Sequence, residues 1–303
     1  MLRKKLNKLL VIVGPTASGK SGLALKLAKK LNGEIVSADS RQIYKEMNIG
    51  TNKEKGIKRG RIYYADGIPH YLIDIISPKQ DFTLANFKNR SLRAINKVHK
   101  KGKLPILVGG TGLYIQAIVD NLSIPHVPPD KKLREKLYKK SAKNLASKLK
   151  KIDPAALKKI APQNKRRLIR ALEVCLKTGK KFSELQKKGK PLFDILQIGI
   201  SVPKEKLYKK INNRVDKMIK EGLFDEVEKL YKKYGHVAPL TGIGYQEIIE
   251  YIRGKISPSE AIRLIKRNTR RYARRQISWF KRDKRIKWIK TQKQAEEKIK
   301  DWH

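Results

Sequence analysis

Apolar positions along this chain fall into two patterns. Short unbroken runs have strand length: Leu9-Leu10-Val11-Ile12-Val13, Glu34-Ile35-Val36-Ser37-Ala38-Asp39, Tyr71-Leu72-Ile73-Asp74-Ile75, Leu104-Pro105-Ile106-Leu107-Val108-Gly109-Gly110 and Phe193-Asp194-Ile195-Leu196-Gln197-Ile198-Gly199-Ile200. They predict five buried strands. Between them apolar residues recur at helical spacing, as in Leu23-Ala24-Leu25-Lys26-Leu27-Ala28. Strands joined by helices predict an α/β fold, a mostly parallel sheet flanked by helices. From Pro125 to about Gly189 the pattern turns helical, polar and Lys-rich, opening on the rigid Pro125-His126-Val127-Pro128-Pro129. Residues 123–190 are therefore expected to form an α-helical insertion, and 1–122 together with 191–303 the core and its C-terminal helices. After Val202-Pro203 the chain is expected to be helical to its end, with long amphipathic stretches over 205–234 and 257–288.

The first predicted strand and helix are joined by Gly14-Pro15-Thr16-Ala17-Ser18-Gly19-Lys20-Ser21, which fits G-x-x-x-x-G-K-[ST]. In the order strand, glycine loop, helix this is a phosphate cradle, and the sheet is expected to be of P-loop type. Glycines let backbone N–H groups turn inward, and the helix N-terminus adds partial positive charge. Lys20 would reach the terminal phosphates and Ser21 would face a Mg2+ ion. The motif predicts a bound diphosphate or triphosphate and leaves the reaction open. Asp39 and Gly109-Gly110-Thr111-Gly112 end two further strands and so belong to the same rim, beyond the carboxyl ends of the strands. There Asp39 could accept a proton or cap a helix, and Thr111 could cap a helix while presenting a hydroxyl. Asp74 is the one candidate for an acidic strand end of the ATPase kind, and a turn role fits it better. That weakness argues against an ATP-driven motor.

Charge changes the picture. The 303 residues hold 73 Lys+Arg against 27 Asp+Glu, a formal net charge of +46, which points to a polyanionic partner. Much of the lysine is spread over the chain, as genomic drift would spread it. The arginines are clustered. Arg267, Arg270, Arg271, Arg274 and Arg275 recur at helical spacing, with Tyr272 among them and Trp279 and Phe280 between Arg275 and Arg282, a face suited to an RNA backbone with splayed bases. Trp279 and Phe280 are expected in the core. Lys165-Arg166-Arg167-Leu168-Ile169-Arg170 forms a second cluster, and Arg214 is a lone arginine in a Lys-rich helix. The single cysteine, Cys175, lies in an apolar helical run and reads as a buried structural thiol. Neither a signal peptide nor a run of transmembrane length is visible, so a cytoplasmic enzyme is expected.

Several blocks resemble one family, the tRNA dimethylallyltransferases (isopentenyl-diphosphate:tRNA transferases). They are Gly14 through Ser21, Asp39-Ser40-Arg41-Gln42-Ile43-Tyr44, Met47-Asn48-Ile49-Gly50-Thr51, Pro69-His70-Tyr71-Leu72-Ile73-Asp74 and Gly109-Gly110-Thr111-Gly112-Leu113-Tyr114. Further on come Arg167 through Val174, Arg214 through Met218, Gly242-Ile243-Gly244-Tyr245-Gln246-Glu247 and Arg274-Arg275-Gln276-Ile277-Ser278-Trp279-Phe280. The Asp-Ser-Arg-Gln and Arg-Gln-x-x-Trp-Phe blocks are more specific than the glycine loop. The resemblance implies that the loop holds dimethylallyl diphosphate in place of ATP, and that the acceptor is N6 of the adenosine adjacent to the anticodon in tRNA. It implies catalytic roles for Asp39, Thr111 and Arg214, with Thr111 on the diphosphate side. Contacts to the tRNA anticodon loop would come from Asp39, Ser40, Arg41, Gln42, Arg134, Arg166, Arg167, Leu168, Ile169, Arg170, Arg271, Arg274, Arg275 and Gln276. A Mg2+ cofactor at Ser21 and a monomeric state complete the expectation. The chain departs from the family at Ala161-Pro162-Gln163-Asn164, where His-Pro-Asn-Asp is usual, and at Arg166, where Gln is frequent. One cysteine excludes the zinc-finger tail of eukaryotic members. A P-loop kinase, an adenine-nucleotide prenyltransferase and a non-enzymatic RNA-binding P-loop protein are the alternatives.

Overall fold

The computed structural model describes residues 6–125, 127–185 and 187–302. The chain divides into two compact units, Met1–Ile118 with Leu192–His303, and Val119–Pro191. In chain order the first unit contains β1 (Lys8–Val13), α1 (Lys20–Lys30), β2 (Gly33–Ser37), β3 (Ile57–Arg59), β4 (Ile62–Ala65), β5 (Ile68–Tyr71), α2 (Leu84–Lys100), β6 (Leu104–Gly109) and most of α3 (Gly112–Val119). The second unit contains α4 (Lys131–Tyr138), α5 (Ala142–Ile152), α6 (Pro154–Lys159), α7 (Lys165–Thr178) and α8 (Phe182–Leu185). The first resumes with β7 (Asp194–Ile200), α9 (Lys204–Lys220), α10 (Leu223–Tyr234), α11 (Tyr245–Ile252), α12 (Pro258–Phe280), β8 (Lys287–Ile289) and α13 (Gln292–Lys300). No helix among the described residues is long and apolar enough to cross a membrane.

The sheet runs β3-β4-β5-β2-β6-β1-β7-β8. From β5 to β8 every pairing is parallel, and β3-β4-β5 form an antiparallel edge. Leu9 through Val13 have no exposed surface, as a central parallel strand covered on both faces requires. The chain leaves β1 toward β2 and leaves β6 toward β7, in opposite directions along the sheet. Loops that diverge from adjacent strands open a crevice at their carboxyl ends. Here the two loops begin at Gly14 and Gly110, just past the paired Val13 and Gly109.

Two expectations need correction. The run Tyr71-Leu72-Ile73-Asp74-Ile75 is not a strand. β5 ends at Tyr71, because Leu72 (φ 66°) and Asp74 (φ 54°) both adopt left-handed backbone. Nor is the chain helical from Val202 to its end. β8 adds a strand beside β7, and the stretch over 205–234 is broken at Gly222 (φ 93°).

The second unit is a helical cluster with its own core, in which Leu145, Leu149, Leu168 and Leu172 are fully covered. Caps set its helix starts: the side chains of Asp130, Ser141, Asp153 and Asn164 each accept a backbone N–H of the first turn.

Candidate active site

The loop from Gly14 to Gly19 is held in an unusual shape. Gly19 (φ 94°) precedes α1 in left-handed backbone, and so does Ala17 (φ 62°), which carries a Cβ and is strained by about 1–2 kcal/mol. At Gly14 any Cβ would come within 2.8 Å of Ser18 Oγ. That hydroxyl is itself buried with no hydrogen-bond partner. An orphaned buried hydroxyl in a glycine-rich nest fits a loop shaped for an anion.

Around this loop a pocket gathers groups far apart in sequence. Lys20 and Ser21 come from α1, Asp39 and Gln42 from the turn after β2, Glu54 from the segment before β3, and Arg214 from α9. Ile35, Ile73 and Val108 supply an apolar wall together with His70. His70 Nδ1 donates to the carbonyl of Ile68 at 2.8 Å, and burial pulls the imidazole below its usual value, so the ring is neutral with Nε2 as an acceptor. Burial also lowers Lys20 to about 8, with the Asp39 carboxylate opposing the shift and Arg214 adding to it. Burial depresses the Arg214 guanidinium in the same sense, against the charges of Glu54 and Asp39. The pocket thus sets two desolvated cations, Lys20 and Arg214, beside two carboxylates, Asp39 and Glu54.

Asp39 and Arg214 are held in position by neighbours. Asp39 Oδ1 accepts the N–H groups of Arg41 (2.8 Å) and Gln42 (3.3 Å), a turn-capping geometry that leaves Oδ2 outside these bonds. Cap and acceptor roles are therefore compatible. Arg214 Nη1 donates to Thr16 Oγ1 at 3.0 Å, which seats the guanidinium on the glycine loop. A metal ion would find hard oxygen donors here: the Ser21 hydroxyl and the carboxylates of Asp39 and Glu54 line one pocket. Among the described residues no group of three His, Cys, Asp or Glu could hold a metal unaided.

Other expected site residues are used differently. Thr111 does not line the pocket; its hydroxyl accepts the Ser40 N–H at 3.2 Å, so it braces the Asp39 turn. Tyr272, expected between the arginines as an RNA-facing aromatic, is pushed up to about 12 by burial and by the Asp39 charge. Arg41 reaches the carbonyls of Ala238 (3.2 Å) and Pro239 (2.9 Å), and Gln42 Nε2 donates to Thr51 and Asn52. Gln276, expected as an RNA contact, has a buried side chain. Arg271, Arg274 and Arg275 are exposed on α12, as the stripe requires.

In the second unit Arg166 and Arg167 are exposed, whereas the side chains of Leu168 and Ile169 pack into the core. Arg134 and Arg170 both grip the buried carboxylate of Glu173, at 2.8 Å and 2.6 Å, which directs their charge inward. Cys175 is a buried free thiol whose pKa burial raises, in keeping with its apolar run. Glu54 carries no signal in the sequence, since it sits in a polar, Lys-rich stretch with no motif. Gln276 does carry one: it falls at helical spacing among Ala261, Ile265, Ala273 and Phe280 on the buried side of α12.

Known proteins resemble this chain in both sequence and fold. Residues 42–283 match the family described as IPP transferase. A tRNA dimethylallyltransferase of Carboxydothermus hydrogenoformans is 46% identical, covering 96% of this chain and 94% of that one. One from Halothermothrix orenii is 47% identical, with 93% and 87% covered. The crystal structure of the tRNA isopentenylpyrophosphate transferase of Bacillus halodurans superposes with a TM-score of 0.71 at 37% identity, over 98% of both chains. A eukaryotic dimethylallyltransferase acting on tRNA gives a TM-score of 0.75 at 31% identity, over 90% of this chain and 70% of that one.

Proposed function

We propose, for a chain that belongs to the IPP transferase family, that it transfers a dimethylallyl group from dimethylallyl diphosphate to N6 of the adenosine adjacent to the anticodon in tRNA. The observation that carries this reading is the meeting of Lys20, Asp39 and Arg214 in one pocket. An anion site and a carboxylate acceptor on one rim are what an amine nucleophile and a diphosphate leaving group require.

In this reading the diphosphate lies in the glycine loop against Lys20, Ser21 and Arg214. N6 attacks the allylic carbon, the C–N bond forms as the C–O bond breaks, and the electron pair departs with pyrophosphate. Lys20 and Arg214 stabilise the charge that grows on the leaving oxygens, where electrostatic catalysis acts most strongly. Asp39 accepts the proton from N6. Its fixed Oδ1 matters because the exocyclic amine of adenine is a weak nucleophile and depends on orientation. Ile35, Ile73 and Val108 offer the apolar surface that a five-carbon chain would cover. The Ser21 hydroxyl, with the diphosphate oxygens, would hold a Mg2+ ion, which would neutralise part of the leaving-group charge. Arg271, Arg274 and Arg275 would contact the tRNA backbone.

Incubation of unmodified tRNA with dimethylallyl diphosphate, followed by mass analysis of its nucleosides, tests the reading. It expects a dimethylallyl adduct on one adenosine of the anticodon loop and release of one pyrophosphate. In a parallel incubation with ATP in place of dimethylallyl diphosphate, ATP consumption with no adduct in the first would favour phosphoryl transfer.

A further inference from the structure

We propose that Gln276 is a positioning residue for the diphosphate-binding loop, one that ties it to the helix facing RNA; the inference rests on the function read above. Its amide spans two elements at once. Oε1 accepts the N–H of Thr16 at 2.8 Å, and Nε2 donates to the carbonyl of Gly110 at 2.9 Å. A Cβ on Gly110 would fall 2.2 Å from that nitrogen, so the amide packs directly on glycine backbone. The loops after β1 and β6, the two that open the crevice, are thereby stitched together by one side chain.

Thr16 is the junction. Its N–H is taken by α12 through Gln276, and its hydroxyl is taken by α9 through Arg214. The two helices are joined as well: Arg270 Nη1 donates to Asn212 Oδ1 at 2.6 Å, two residues ahead of Arg214. Two consequences follow. The Thr16 N–H is withdrawn from the set that can grip an anion, so the phosphates fall to the remaining loop amides, Lys20 and Arg214. The neighbouring Ala17 holds its left-handed backbone only while its surroundings over-determine it, and the Gln276 bond is one of those constraints. The exposed guanidinium groups of Arg271, Arg274 and Arg275 ride on the same helix as this buried clamp.

Gln276→Leu removes both bonds. Gln276→Asn keeps the chemistry but is one carbon too short to span Thr16 and Gly110, and it guards against a leucine variant that fails to fold. Five quantities are measured on the full chain: calorimetric affinity for inorganic pyrophosphate with Mg2+, the KM and kcat for dimethylallyl diphosphate, tRNA affinity by filter binding, and amide exchange of Gly14 and residues 16–19. Pyrophosphate affinity is expected to fall by about tenfold or more, the order set by losing two buried hydrogen bonds. The donor KM should rise in parallel and the loop should exchange faster, while tRNA affinity stays within about twofold, because a buried side chain makes no RNA contact. Unchanged pyrophosphate affinity and exchange would overturn the proposal. So would weakened tRNA binding with donor binding intact, which would return Gln276 to the RNA surface. Failure of the functional reading looks different: wild-type protein would bind pyrophosphate and yield no prenylated tRNA.

Discussion

Donor binding should be lost in alkali, and Lys20 sets where. In the free protein burial brings this lysine to about 8, with Arg214 pushing in the same direction and Asp39 opposing. Its charged form is the one that grips phosphate. At pH 7 about nine-tenths of the molecules carry that charge, and at pH 9 about one-tenth do. If only the protonated form binds, the apparent affinity for dimethylallyl diphosphate falls about tenfold between these two values. The donor's terminal phosphate ionises near pH 6 and contributes little over this interval. Once the diphosphate is bound its negative charge raises the lysine again, so kcat at saturating donor should stay flat over the same range. The sign for folding is the reverse of that for binding. An unfolded lysine titrates at 10.5, so between about 8 and 10.5 the unfolded chain holds more protons, and this group makes stability rise with pH. The assay is the donor KM from pH 7 to 9.5 at fixed ionic strength, paired with kcat and with the same profile for Lys20→Met. A KM limb centred near pH 8 in the wild type and missing in the variant is the expected outcome. A flat KM in the wild type, or the same limb in Lys20→Met, would refute the reasoning.

Three further outcomes are expected. Asp39→Asn keeps the size of the side chain and an oxygen for the Arg41 and Gln42 N–H bonds but cannot accept the N6 proton; single-turnover prenyl transfer should drop about 100-fold or more with tRNA affinity unchanged. Replacing Arg271, Arg274 and Arg275 together by Ala should weaken tRNA binding and reduce the log–log salt slope by roughly 0.7–0.9 for each phosphate left without its guanidinium, read from affinities between about 50 and 200 mM salt; an unaltered slope would mean that this face meets no phosphate. Glu226→Ala leaves the N–H groups of Asn48, Ile49 and Gly50 and the Tyr245 hydroxyl without their shared carboxylate, so urea denaturation should report a loss of about 2–4 kcal/mol, and the donor KM should rise because the same loop carries Thr51 to the pocket.

The parts of the site legible in the sequence are those fixed by local chemistry or by topology. The glycine loop is a contiguous motif whose shape depends on its own residues. Asp39 and Gly109 end apolar runs, and parallel sheets expose the carboxyl ends of their strands on one rim, so their approach to Lys20 could be deduced without knowing any contact. Arg214 reached the same place through the family resemblance, since a lone arginine on a polar helix carries no positional information. What could not be read depends on partners distant in the chain. The β3-β4 edge and β8 are three or four residues long, too short for a period of two to stand out from lysine-rich surroundings. The apolar run after Tyr71 has strand composition, but Leu72 and Asp74 turn it aside in a backbone that no hydrophobic pattern records.

The expected RNA contacts whose side chains turn inward share one cause. A cluster of arginines suggests a surface, and every residue inside the cluster is drawn onto that surface with it. A helix turns 100° per residue, so neighbours in sequence face different ways. Arg275 is exposed and Gln276 is buried; Arg167 is exposed and Leu168 has no accessible surface. Charge itself divides by the same rule. Arg134 and Arg170 turn their guanidinium groups to Glu173, and Lys101 and Lys103 turn their ammonium groups to the buried Glu34. Acids are scarce here, 27 against 73 basic residues, and several of them, such as Glu34, Glu173 and Glu226, are engaged with cations or backbone. The net charge of +46 therefore measures how much polyanion the surface could meet, whereas the direction of each arginine decides where. On α12 the outward guanidinium groups and the inward Gln276 amide stand on adjacent residues, so under the proposed function RNA held by the former and a diphosphate held by the glycine loop would be linked through a single helical step.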